Sequence, residues 1–380
     1  MKNYILLSLF FVSLLGYSQK FKLDITARVD TTNTTIKQVY HLYNDYINSN
    51  PDSIYKNPHW NDAEATKFIK NKLLAERSAN KMYQYFGSKR YLSYYTPKIL
   101  QIDSVAVNRY QIKTLFAHDC AEDQYKNSTP MEITKLYAVR DKSGKFKLEN
   151  LINYDTRNWK THQIQFIKYV VHPNCEFDKK EALKAIEFCR KIAKRFDLTI
   201  IPFTYYILPN SDELGKLYNF EYWLSYIGGQ ANIPNREVFT TYSNTNFPHE
   251  FVHILFPLRE NGTMIISEGL ATWLSGPSYN ESFEEALIET SKKLQKTQNV
   301  SLDEIINFNI RNEFDNTILY VTGGVICKFV YEKHGDKGIW ELYNNTSNEN
   351  FKETLERLFE ESYQELDKKV INYIKNYSKI

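Results

Sequence analysis

The sequence predicts an α+β protein built from two units. Three observations carry this. Apolar residues at helical spacing come first and give way to segments of period-two spacing. Beyond Trp159, strands alternate with one long helix. After Asn246 almost every segment reads as helix. With 380 residues, 42% of them hydrophobic, the chain can bury a large core, and more than one domain is expected.

Residues 20–158 make up the first expected unit. Ile36, Val39, Tyr40 and Tyr43 share one helical face, and the stretch from Ala63 to Phe86 holds further helical segments. From Ile99 to Phe116 the pattern alternates, with Ile102, Ser104 and Ala106 on one side and Val105 and Val107 on the other. Met131–Val139 and Phe146–Asn153 read as two more strands. Between them Asp141-Lys142-Ser143-Gly144 supplies turn chemistry, so they are expected to pair as a hairpin. Helices followed by an antiparallel meander resemble the cone-shaped α+β fold of nuclear-transport-factor-2-like domains.

The second unit, 159–380, opens with a strand over Ile164–Val171. An amphipathic helix over Lys179–Phe196 follows, then a strand over Leu198–Leu208 ended by Pro209-Asn210, and a short strand over Val238–Tyr242. Helices are then expected over Pro248–Phe256, Glu268–Leu274, Phe283–Lys296, Leu302–Phe308, Tyr320–His334, Ile339–Tyr343 and Phe351–Tyr377. Ser301 and Glu304 stand at capping-box spacing. No repeat, low-complexity tract or Gly-rich phosphate loop interrupts the pattern.

Composition narrows the function classes. The formal net charge is only +3 and no Lys/Arg block stands out, so nothing points to nucleic acid as a partner. The 15% of aromatic residues, mostly Tyr, accompany abundant Lys, Asn and Ile and read as compositional bias rather than a stacking surface. Residues 1–19 have the layout of a secretory signal peptide: Met1-Lys2-Asn3-Tyr4, the apolar run Ile5–Leu15, then Gly16-Tyr17-Ser18-Gln19. That run is short for a membrane span, and no other segment approaches spanning length. The mature protein is therefore expected to be exported, in the periplasm or secreted, without stable membrane insertion. Export permits disulfides among Cys120, Cys175, Cys189 and Cys327. Cys175 and Cys189 are close enough in sequence to bridge a loop to the following helix, and the Cys spacings do not make a zinc motif.

The chemistry concentrates in Phe247-Pro248-His249-Glu250-Phe251-Val252-His253-Ile254-Leu255-Phe256-Pro257. With only 8 His in the chain, His-Glu-x-x-His is expected in about one shuffled sequence in a hundred. On a helix, residues four apart share a face, so His249 and His253 can reach one ion, and Glu250 can accept a proton from water at that ion. Pro248 suits the first helical turn and Pro257 the end. A hydrolytic zinc needs a third protein ligand and one open position. Fifteen residues after His253 comes Ser267-Glu268-Gly269-Leu270-Ala271-Thr272-Trp273-Leu274-Ser275-Gly276-Pro277, in which Ser267 reads as an N-cap, Glu268 as the ligand on the first turn, and Gly276-Pro277 as the stop.

Here the chain resembles the gluzincin clan of zinc metallopeptidases. Glu268-Gly269-Leu270-Ala271-Thr272-Trp273 is similar to the Glu-Gly-x-Ala-x-Trp-like run that carries the third ligand in the membrane-alanyl-aminopeptidase family. The resemblance extends over about 164–377. It implies a small sheet followed by a mostly helical part, with Zn2+ on His249, His253 and Glu268. The small Gly269 and Ala271 are expected to let the second helix pack tightly on the ligand helix. The clan carries a Tyr three residues before a Gly on a downstream helix. Tyr320-Val321-Thr322-Gly323 fits that pattern, which implies that the Tyr320 hydroxyl stabilises the oxyanion. His334 is the substitute, although His334-Gly335 reads better as a helix end. Two departures stand out. The gap between His253 and Glu268 is shorter than in the aminopeptidases. In place of their Gly-x-Met-Glu-Asn strand stands Gly228-Gly229-Gln230-Ala231-Asn232, which has no acidic residue to hold an amino terminus but can form an edge strand that pairs with extended substrate.

The expected activity is hydrolysis of a peptide or protein substrate, with Glu250 taking the proton of the attacking water and handing it to the leaving amine. Two alternatives stay open: a non-catalytic peptide- or glycan-binding protein on a peptidase-like scaffold, and hydrolysis of a non-peptide amide or ester. Substrate, cleavage mode and oligomeric state are not legible.

Overall fold

The computed structural model describes residues 23–118, 129–278, 280–307, 309–310 and 316–378. The expected signal segment and Cys120 lie outside them. The chain is α+β and divides into two compact units, 1–150 and 151–380, where the sequence suggested a boundary at 158. No described helix is long and apolar enough to cross a membrane.

In the first unit a short strand β1 (Asp24–Ile25) precedes helices α1 (Thr34–Ile47), α2 (Asp62–Lys70), α3 (Ala79–Met82) and α4 (Gly87–Tyr94). The side chain of Asn33 caps α1, and Val39, Tyr43, Tyr46 and Ile47 bury one of its faces. Strands β2 (Tyr95–Ala106), β3 (Arg109–His118), β4 (Thr129–Arg140) and β5 (Phe146–Glu149) form an antiparallel meander, with β1 added in parallel to β2. The β4–β5 turn works as its residues suggest: Asp141 Oδ1 accepts the N–H groups of Ser143 and Lys145, and Gly144 takes a positive φ of 81°. At the end of β2 the expected alternation fails. A bulge between Ser104 and Ala106 leaves Ser104 and Val105 both exposed.

The second unit begins with α5 (Ile152–Asp155) and continues through β6 (Lys160–Ile164), β7 (Ile167–Val171), α6 (Lys179–Phe196), β8 (Phe203–Ile207), α7 (Ser211–Leu217), β9 (Phe220–Tyr222), β10 (Gly229–Asn232) and β11 (Glu237–Thr240). The strand expected over Ile164–Val171 is in fact a tight hairpin, because Gln165 adopts a left-handed conformation (φ 53°) and reverses the chain. Five strands form a sheet in the order β10-β11-β8-β7-β6. The three central strands are parallel, and an antiparallel strand lies at each edge.

Helix α6 has the bounds the sequence predicts. Asp178 accepts the N–H groups of Lys180 and Glu181 at its start, and Asp197 closes it in the left-handed region. Its apolar stripe of Ala182, Ala185, Ile186, Cys189, Ile192 and Phe196 lies in one core with β7, β8 and the later helices. Cys175, Cys189 and Cys327 are free thiols, so the Cys175–Cys189 bridge that the spacing allows is not formed. Cys189 is buried on the core face of α6, and Cys175 is half-buried in the loop before the helix.

The remaining helices are α8 (Pro248–Leu255), α9 (Met264–Ser275), α10 (Phe283–Gln295), α11 (Leu302–Ile306), α12 (Thr317–Asn345), α13 (Phe351–Phe359) and α14 (Tyr363–Tyr377). Two of the expected helical stretches are divided differently. The segments expected to end at His334 and restart at Ile339 form one run, α12, interrupted at Gly335 (φ 63°). The expected helix over Phe351–Tyr377 breaks at Glu360 (φ 59°) and restarts through a Ser362/Glu365 capping box. Ser301 caps α11 by accepting the N–H of Glu304.

Candidate metal centre

Helix α8 starts on Pro248, whose missing N–H is no loss at that position, and ends where Phe256 turns extended before Pro257. Two contacts hold it in place. Phe251 is fully buried and packs against the rings of Phe188, Phe203 and Tyr205. The Arg236 guanidinium donates to the carbonyls of Ile254, in the last turn, and Ile201. The helix thus lies on the sheet with His249 and Glu250 buried and His253 partly buried.

Helix α9 starts earlier than the sequence suggests. Its N-cap is Thr263, which accepts the N–H of Ile266, so Ser267 is an interior residue and Glu268 sits in the second turn. Ile265 and Ile266 are buried, and helical geometry over them extends the core face. Gly269 also plays a different part from the one expected. A Cβ on Gly269 would lie 2.3 Å from the backbone carbon of Gly323, and one on Gly323 would lie 1.9 Å from the Ile265 carbonyl oxygen. The close approach permitted by Gly269 is therefore to α12. Trp273 reinforces this seam: its ring meets Tyr331 at 5.2 Å, and the guanidinium of Arg195, paired with Asp336 at 2.8 Å, lies over both.

These elements bring His249, His253 and Glu268 together. His249 Nε2 lies 3.0 Å from Glu268 Oε2, His253 Nε2 lies 3.3 Å from the same oxygen, and the two Nε2 atoms are 3.2 Å apart. Among the described residues this is the group of His, Cys, Asp and Glu side chains able to hold a metal ion. Donor atoms around a tetrahedral zinc at 2.0–2.1 Å lie about 3.3 Å from one another, so the triangle has the size the ion requires. His249 Nδ1 is 2.9 Å from the carbonyl oxygen of Gly276. A carbonyl only accepts, so Nδ1 carries the proton, and the lone pair of the neutral ring is on Nε2, facing Glu268. Two imidazole nitrogens and a carboxylate oxygen directed at one point are the donor set of a borderline divalent cation, and the residues fit zinc.

The electrostatics also call for positive charge. Burial alone would lower His253, but the charge and hydrogen bond of Glu268 outweigh it and hold the imidazole at about 9. Glu268 is the mirror case: burial pushes it up, and His253 and His249 more than offset this, holding it well below the usual carboxylate range. Glu250 differs from both. Its burial outweighs the opposing charges of His253 and His249, so it stays above the ordinary Glu value, where a general base can also return its proton.

The ring of Tyr320, in the first turn of α12, stacks on His249 at 5.8 Å between centroids and 16° between planes. His334, the substitute, is not at the centre: its Nε2 bonds the Leu358 carbonyl at 2.7 Å. The Gly229–Asn232 segment is the edge strand β10, and a Cβ on Gly229 would lie 3.0 Å from Glu250 Oε1. Sequence reasoning passed over the Gly276 carbonyl, a backbone acceptor that no side chain announces. It also passed over the Gly269–Gly323 contact, for which the signal was a glycine inside each of two consecutive-looking helical patterns.

No protein-family model matches this chain, and no curated protein matches it either.

Proposed function

We propose that the chain is an exported zinc-dependent peptidase, with Zn2+ on His249, His253 and Glu268. One observation carries the reading: three donor atoms from two helices lie 3.0 to 3.3 Å apart beside a buried glutamate. Zinc held by such a set acidifies water and polarises a carbonyl. The residues then divide the work. Gly276 fixes the His249 tautomer through its carbonyl. Glu250 takes a proton from the attacking water and passes it to the leaving amine, a round trip its raised affinity for protons favours. Tyr320, whose ring is fixed against His249, is the donor to the developing oxyanion. Strand β10, which pairs on one side only among the described strands, is the edge that would offer main-chain groups to an extended peptide.

The test is a peptide-library digest read by mass spectrometry, with and without chelator, for the wild type and Glu250→Gln. Chelator-sensitive cleavage is expected, and Glu250→Gln should keep its zinc while losing about three or more orders of magnitude in rate. A fully active Glu250→Gln protein removes Glu250 from this role, and a chain that binds zinc yet cleaves no peptide in the library refutes the activity.

A further inference from the structure

Arg236 closes the turn between β10 and β11 with φ at 55°, in the left-handed region where any Cβ is disfavoured and Gly is the default residue. Its backbone is used on both sides: the N–H donates to the Ile233 carbonyl at 3.1 Å, and the carbonyl accepts the Thr204 N–H at 2.9 Å. Gly would make both bonds without strain. What Gly lacks is the guanidinium, whose Nη1 donates to the Ile254 carbonyl at 2.6 Å and Nη2 to the Ile201 carbonyl at 2.7 Å. The last turn of α8 needs such a donor. Phe256 still returns its N–H to the Val252 carbonyl at 3.0 Å, but it is itself extended, and Pro257 has no N–H to return to His253. The final carbonyls of the helix are thus without helical partners. Ile254 is fully buried, where an unmet carbonyl is costly. A cation there also meets the negative end of the helix dipole. Past the helix, Phe256 sits among the rings of Phe196, Trp340 and Tyr343, and Tyr343 Oη donates to the Pro257 carbonyl at 2.9 Å. Those contacts hold the chain beyond α8; Arg236 holds the turn itself, one residue from His253.

We infer that Arg236 is the positioning residue for His253: its guanidinium fastens the last turn of α8 to the β10–β11 turn and to the loop before β8, and so fixes where the imidazole stands over the sheet. This rests on the proposed role of His253 as a zinc ligand. The strained backbone at Arg236 is the local cost of placing the guanidinium at that point. The same residue ends the hairpin that carries β10, so the ligand helix and the edge strand share one anchor. A lysine cannot replace it, because one ammonium on a flexible stem does not span two carbonyls as the planar fork does.

Measurements on the purified full chain test this. Zinc affinity, read by competition with a fluorescent chelator, should fall by about tenfold in Arg236→Gly, the lower end for a group that supports a metal ligand, because Arg236 acts through the helix. With Co2+ in place of zinc, the visible d–d bands of the variant should shift or weaken as the ligand geometry changes. Arg236→Gly also relieves the backbone, so a role confined to the fold would leave both readouts unchanged. Arg236→Lys, which keeps the charge, should lose about threefold or more in affinity. Wild-type affinity and an unchanged cobalt spectrum in Arg236→Gly overturn the inference; if that variant does not fold, the same result in Arg236→Lys overturns it. In residue-resolved hydrogen exchange, the Phe256 amide should be protected in the wild type and exchange about tenfold faster in Arg236→Gly. An unmoved Phe256 amide also overturns it. If the wild type holds no metal, the zinc reading fails, while the Phe256 amide still decides whether Arg236 fixes the last turn of α8.

Discussion

Replacing Gly323 with alanine tests the seam on which Glu268 depends. The new Cβ would lie 1.9 Å from the Ile265 carbonyl oxygen and 2.8 Å from Gly269 Cα. Both neighbours are backbone, so no side-chain rotation can relieve the contact. Reaching even 3.0 Å requires α9 and α12 to part by about 1.1 Å, roughly five times the 0.2 Å tolerance of a metal-ligand distance. Glu268 is one residue from Gly269, and Tyr320 lies one turn before Gly323, so the displacement acts on both. The overpacking should cost about 3 kcal/mol, the upper end for an inserted methyl group because the surroundings are rigid. Zinc affinity should fall by about a hundredfold. The assays are calorimetry of the second unit's unfolding transition and zinc titration against a fluorescent chelator. Gly228→Ala is the control, since a Cβ there meets nothing within 4 Å and its backbone is unstrained. If Gly323→Ala matches the wild type within about 0.5 kcal/mol and binds zinc as tightly, the contact does not position the ligand.

Three further outcomes are expected. In chelator-treated protein, His253 at about 9 stands above its ordinary 6.5, so the folded state holds that proton more tightly than the unfolded chain. The stabilisation is complete below about pH 6.5 and is lost as pH rises through 9, a loss of about 3 kcal/mol visible in urea unfolding at pH 6 and pH 9.5; a flat profile contradicts the Glu268–His253 pairing. Phe251→Ala should destabilise the second unit by about 3–5 kcal/mol in the same assay, since it removes the fully buried ring that anchors α8 to the sheet. Tyr320→Phe keeps the ring against His249 and removes only the hydroxyl, so kcat should fall by about a hundredfold at unchanged zinc content, and an unaffected kcat would make Tyr320 a packing residue alone.

What could be read from the sequence was what local chemistry decides. The apolar stripe placed α6 at Lys179–Phe196, where it lies, and Pro248 starts α8 where its fixed φ is tolerated. The α+β class followed from the change of apolar period along the chain. The errors lie where tertiary contacts outvote local preference. Thr263 and Ser267 are both competent caps, and burial of Ile265 and Ile266 selects the earlier one. Gln165 and Glu360 take left-handed conformations that neither residue type advertises, so two chain reversals were invisible. At the candidate metal centre the two His were legible from spacing, because four residues along a helix is a geometric statement, and Glu268 was legible only through the resemblance of the run it opens. Their support was not: the Gly276 carbonyl is a backbone group of a kind present in every residue, and only the fold aims it at His249.

The most direct measurement is the metal content of the purified chain, by inductively coupled plasma mass spectrometry, for the wild type beside Glu268→Ala. About one zinc per chain is expected in the wild type and almost none in the variant after dialysis against the same buffered zinc. Zinc retained by Glu268→Ala at wild-type affinity, or absent from both proteins, would contradict a centre built on His249, His253 and Glu268.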